Sequence, residues 1–147
     1  MKVFKHLFLT LIVLSLSACG NPTVEKVKNS TLPFNKDMKI GDALDKYKYF
    51  KSKSWEKLDN DTDDKVVQFK GKLPWSGQNF GKTDMMYDNA FFIVQFTIFP
   101  DSSVKISKIE IERDIVHYGV RIEPLEDKKN EILNAIYTNT DIFSKMM

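Results

Sequence analysis

Cysteine and histidine are almost absent from this chain: Cys19 is its single cysteine, and His6 and His117 are its only imidazoles. One thiol closes no internal disulfide. His6 lies in an N-terminal leader, and the imidazole left beyond it builds no multi-histidine zinc site, so no metal is expected. The chain also lacks an apolar run of spanning length. The dozen residues from Leu7 to Ala18 cover about 18 Å as a helix, against roughly 30 Å of hydrocarbon in a bilayer. An excess charge of one sign is missing too. Lys2 and Lys5 carry the whole formal +2, and the remaining basic residues equal the 20 acidic ones in number. That balance removes the broad basic footprint of a nucleic-acid binder, and nucleic acid is not an expected partner. No internal repeat or low-complexity tract is visible.

Two motifs fall short of the chemistry they imitate. In "GQNFGKT", Gly77 and Gly81 enclose three residues. A phosphate-binding P-loop needs four and a helix directly after it, and "DMMYDN" makes a poor helix; no nucleotide is expected. Asp59, Asp61 and Asp63 are spaced like the first ligands of a calcium loop. Asp64 then stands where the sharp turn wants glycine, and Lys70 where a bidentate glutamate closes the shell. The segment reads as a polar hairpin tip, with calcium left as an open alternative. No strained nucleophile turn marks any serine. No enzymatic activity, catalytic residue or cofactor is expected.

What the chain does have begins at its N-terminus. Lys2 and Lys5 precede the apolar run "LFLTLIVLSLSA", and small residues then meet Cys19. That is the layout of an export leader over residues 1–18. Leu16, Ser17, Ala18 and Cys19 resemble the lipobox of bacterial lipoproteins. The resemblance implies diacylglycerol on the Cys19 sulfur, cleavage before Cys19, and attachment to a membrane through lipid. Because Gly20 rather than aspartate follows, it implies the outer membrane of the cell envelope, facing the periplasm. Each buried methylene contributes about 0.8 kcal/mol, so two or more acyl chains anchor stably where one does not.

Residues 19–36, "CGNPTVEKVKNSTLPFNK", mix Pro, Asn, Ser, Thr and Lys with few apolar side chains. They read as a flexible tether. Residues 37–147 read as a single α+β domain, an antiparallel sheet of four to five strands with one helix before it and one C-terminal helix packed on one face. The 42% apolar content is enough for a core. Ile40, Ala43, Leu44 and Tyr47 predict a helix over 41–49. "KSWEKL" and "KVVQFKGKL" predict a hairpin, and residues 89–99 predict a strand turning at Pro100. Val104 and Ile106 share one parity while Ile109 and Ile111 take the other, which predicts a bulge near Ser107 and Lys108. "IVHYGVRI" predicts a fifth strand. Leu125, Ile132, Leu133 and Ile136 predict the last helix.

The connection "PWSGQNFGKTDMMYDNAFF" sets Trp75, Phe80, Met85, Met86 and Tyr87 among Gly, Ser and Asn. Adaptable large side chains in such a segment read as a protein-binding surface. Residues 27–58, with "FFIVQFTI" and "ILNAIYTN", resemble small bacterial lipoproteins of no assigned activity. In shape only, a helix before a Trp-bearing strand is similar to BamE-type assembly lipoproteins. The expected function is therefore a lipid-anchored, non-enzymatic interaction or scaffold module whose partner is an envelope protein. The alternative is a periplasmic inhibitor or immunity-type protein that neutralises an enzyme or toxin.

Overall fold

The structure is a computed structural model that describes residues 20–59, 63–74, 87–115 and 119–142, with the backbone alone at 87, 88, 115 and 119–123. In chain order these form α1 (Pro22–Asn29), β1 (Thr31–Leu32), β2 (Asn35–Lys39), α2 (Ile40–Lys46), β3 (Ser52–Leu58), β4 (Lys65–Lys72), β5 (Tyr87–Ile98), β6 (Val104–Ile115), β7 (Gly119–Pro124), a 3-10 turn (Glu126–Lys128) and α3 (Lys129–Tyr137). The fold is α+β. β1 pairs with β2, and β3 to β7 form one antiparallel sheet in sequential order.

Period-two alternation builds that sheet. Val67 and Phe69 of β4, Leu73 just beyond it, and Phe92, Val94, Phe96 and Ile98 of β5 are all buried. The register lines them into rows: Phe69 faces Val94, which faces Ile109, and Gly71 faces Phe92, which faces Ile111. The bulge falls where the phase fault predicts it. Gln95 pairs with Lys108 but Phe96 with Ile106, so Ser107 is the extra residue. Its hydroxyl donates to the Gln95 carbonyl at 3.2 Å. Ile106, Ile109 and Ile111 thereby reach the same side. At the β5–β6 turn, Ser102 donates its N–H to the Phe99 carbonyl at 2.9 Å with a φ of 69°.

The segment expected as a tether is a correction. Residues 22–32 are structured and packed: Pro22 opens α1 at a position that needs no N–H, and the Asn21 side chain caps it, accepting from Thr23 N–H at 2.9 Å. Val24 and Val27 lie three residues apart on one face and are buried, Val27 completely. Leu32 follows them into the core. An isolated helix of 8 residues is marginal, and here packing holds it. Two helices, not one, therefore precede the sheet. Their approach is close, since a Cβ on Gly41 of α2 would meet the Lys28 Cβ at 2.9 Å.

α2 also ends earlier than its apolar spacing predicts. Tyr47 leaves the helix in an extended conformation, and its ring packs between Tyr49 and Phe50, with centroids 5.3 and 4.8 Å away. Phe50 then lies on the sheet over Gly71, where a Cβ would come within 2.8 Å of its ring. Only glycine leaves room there. Trp55 is half-buried and ties three elements together. Its indole N–H donates to Asp45 at 2.7 Å, Asp45 pairs with Lys28 at 2.8 Å, and the Lys28 ammonium lies 5.6 Å from the Trp55 ring. α3 buries Ile132, Leu133, Ile136 and Tyr137.

The sheet face turned away from this core is closed by its own polar side chains. Gln95 donates to Gln68 at 2.9 Å and Gln68 to Glu56 at 2.8 Å. Lys70 pairs with Glu112 at 2.8 Å, and Lys108 with Glu110 at 2.9 Å. Ile93 is buried on that face, between Lys70 and Glu110 in the register. The long stems of such charged neighbours cover apolar surface well.

Candidate functional site

The sequence-based site candidates adjoin the two ends of one sheet. At the first end β3 and β5 finish, β4 and β6 begin, and α1 starts. Pro22, Thr23 and Lys26 of α1 line a cavity of about 450 Å³ together with Asp63, Lys65, Ile98, Phe99, Pro100 and Ser102. The described residues begin at Gly20, at this end. Asn21 holds it in place through the Thr23 bond and through Glu25, whose N–H donates to the Asn21 carbonyl at 3.0 Å. Cys19, the lipidation candidate, lies outside the described residues and is the next residue in the chain.

At the second end β4 runs out and β5 begins. Leu73 is fully buried and donates its N–H to the Ala90 carbonyl at 2.8 Å, while Lys51 N–H donates to the Lys72 carbonyl at 2.8 Å. Residues 75–86 join these strands. Trp75, Phe80, Met85 and Met86 lie outside the described residues, and of Tyr87 the backbone is described, opposite Ile115 in β5 and β6. His117 also falls outside them. At about 3.3 Å per residue, the 12 residues of β5 separate the two ends by roughly 36 Å. Lys51 lies at the second end, while Lys46 pairs with Asp42 at 2.9 Å and Lys53 donates to the Asp45 carbonyl.

Sequence reasoning missed a cleft between α2 and α3. It encloses about 410 Å³ and is lined by Asp37, Met38, Asp42, Ala43, Lys46, Tyr47, Ile136, Tyr137 and Asn139. The hydrogen bond and charge of Lys46 hold the Asp42 carboxyl below the usual range. Burial raises both phenols, Tyr137 to about 12 and Tyr47 further. Both tyrosines are therefore neutral at physiological pH and supply no phenolate. Among the described residues no three His, Cys, Asp or Glu side chains gather to hold a metal. The calcium-like tip falls partly outside the described residues, with Asp59, Asp63 and Asp64 inside them. Phe34, at the β1–β2 turn, is 52% exposed and edges onto Tyr137 at 5.1 Å. "LPFN" marks the turn, but nothing in it foretells that exposure.

No family model, curated protein or solved structure matches this chain. No described helix is long and apolar enough to cross a membrane.

Proposed function

We propose that this protein is a lipid-anchored lipoprotein of the bacterial cell envelope, acting as a non-enzymatic interaction module at the outer membrane, periplasmic side. Lipid on Cys19 fastens it, and the Trp75–Tyr87 segment contacts an envelope protein. One observation carries the reading. The residue that follows Cys19 opens the first end of the sheet, whereas residues 75–86 leave from the second, roughly 36 Å of strand away. Anchoring at one end leaves the other free to meet a partner beyond the headgroups.

Photo-crosslinkers at Trp75, Phe80 and Tyr87 in living cells, followed by mass spectrometry, test the partner surface. One envelope protein should dominate the capture from all three positions. Trp75→Ala with Tyr87→Ala should abolish its capture from Phe80. Undiminished capture in that double variant rejects the assignment of the segment. A toxin or hydrolase as the dominant capture would favour the inhibitor reading over the scaffold. For the anchor, Cys19→Ser should accumulate as an unacylated precursor that still carries residues 1–18.

A further inference from the structure

We infer that the first end of the sheet rests directly on the phospholipid bilayer, so that the Phe99–Ser102 turn, Lys26 and Lys65 lie among the headgroups and the strands stand away from the membrane. The inference rests on the lipid-anchor reading above and deepens it.

Chain length sets how far α1 can stand from the bilayer. A diacylglycerol on Cys19 keeps that residue at the boundary between headgroups and hydrocarbon. Pro22 is three residues on, and three Cα steps of about 3.8 Å reach at most about 11 Å. The headgroup layer on one face of a bilayer is itself roughly 5 to 8 Å deep. The first turn of α1 can barely clear it. An 18-residue flexible tether would have averaged about 23 Å of reach and left the domain free to turn. The capped, buried helix removes that freedom, because Val27 is completely buried and the Asn21 cap fixes the direction in which the chain leaves toward Cys19.

What surrounds Pro22 must then share its depth. The cavity of about 450 Å³ brings the β5–β6 turn and the start of β4 beside α1. Phe99 and Pro100 give this rim apolar surface, and Lys105 lies 5.1 Å from the Phe99 ring. Lys26 and Lys65 share its wall with Asp63, so the charge there is weakly positive and no broad basic patch forms. The bilayer is met because the anchor is short, not because the surface is strongly basic. Contact should therefore survive high salt.

The acylated full-length protein offers a direct test, because lipid blocks its only native thiol. Pro100→Cys and Ser52→Cys each introduce one exposed labelling site, at the first and second ends. Each variant is labelled with a fluorophore and reconstituted in vesicles of phosphatidylethanolamine and phosphatidylglycerol doped with a headgroup-nitroxide lipid. The Pro100 label should lose most of its emission, with and without high salt, while the Ser52 label keeps its own. Equal, weak quenching at both positions overturns the inference, as does stronger quenching at Ser52 or release of the Pro100 label by salt. Intact-protein mass spectrometry of the same samples separates the two readings. Acyl chains present with Pro100 unquenched sinks the orientation alone, whereas no acyl chains sinks the anchor and the orientation together.

Discussion

The Tyr47 hydroxyl accepts the N–H of Ile142 at 3.0 Å, across 95 residues of chain, and donates to the Thr140 carbonyl at 2.8 Å. One phenol at the end of α2 therefore latches the segment that follows α3. Tyr47→Phe keeps the ring packing and removes both bonds, leaving the Ile142 N–H buried without its acceptor. The expected loss is about 1–3 kcal/mol. It should show as a lower denaturant midpoint with an unchanged slope.

Tyr137 lines the same cleft as Tyr47, with its hydroxyl buried and lacking a hydrogen-bond partner among the described residues. An unsatisfied polar group is a cost, so Tyr137→Phe should leave stability unchanged or raise it by up to about 1 kcal/mol. Thermal melting at neutral pH checks the sign. A clear drop would mean that the hydroxyl has a partner.

The two tyrosines also set an alkaline limit. Both have raised pKa values in the fold, Tyr137 at about 12, so the native state holds its phenolic protons more tightly than the unfolded chain does. Their contribution is complete below the unfolded value near 10 and is lost as the pH rises through the folded values. Melting temperatures should be flat to about pH 10 and fall beyond it, and Tyr137→Phe should lessen the fall without abolishing it.

Gly71→Ala places a methyl group where the Phe50 ring already sits at 2.8 Å. Phe50 is itself stacked on Phe92 at 5.7 Å and cannot retreat without opening the core. Overpacking of this kind costs about 1–3 kcal/mol, read by chemical unfolding.

Val27→Asp puts a charge at a completely buried position of α1 and should detach that helix while the sheet stays folded. Residues 20–30 then become the tether that their composition suggests. In the acylated protein this change should relieve the quenching of a Pro100 label, with near-ultraviolet circular dichroism reporting that the rest remains packed.

The sheet was legible because its signals are local. Alternation in "KVVQFKGK" and "FFIVQFTIF" names the core-facing residues, though Ile93 and Thr97 are buried on the other face as well, and the parity switch between Ile106 and Ile109 set the bulge near Ser107 and Lys108. α1 was not legible: its two buried valines sit among polar neighbours, and an 8-residue helix has little stability of its own. The early end of α2 was hidden for a related reason, since Tyr47 fits a helical face equally well and turns out of it to meet Thr140 and Ile142. Of the candidate site, Cys19 was read from its resemblance to a lipobox and the aromatic segment from its composition. That Gly20 and the strand ends flanking residues 75–86 lie at opposite ends of the sheet was not legible, because it depends on where α1 docks.

Local chemistry alone thus determined the strands, their core-facing residues and the Ser107 bulge, since each depends on residues a few positions apart. Tertiary structure decided that residues 22–32 belong to the folded body, that Tyr47 clasps the chain near Ile142, and which end of the sheet adjoins Gly20. Those outcomes come from burial of Val24, Val27 and Leu32 against distant partners, and the free energy of such contacts exists only once the sheet that receives them is in place.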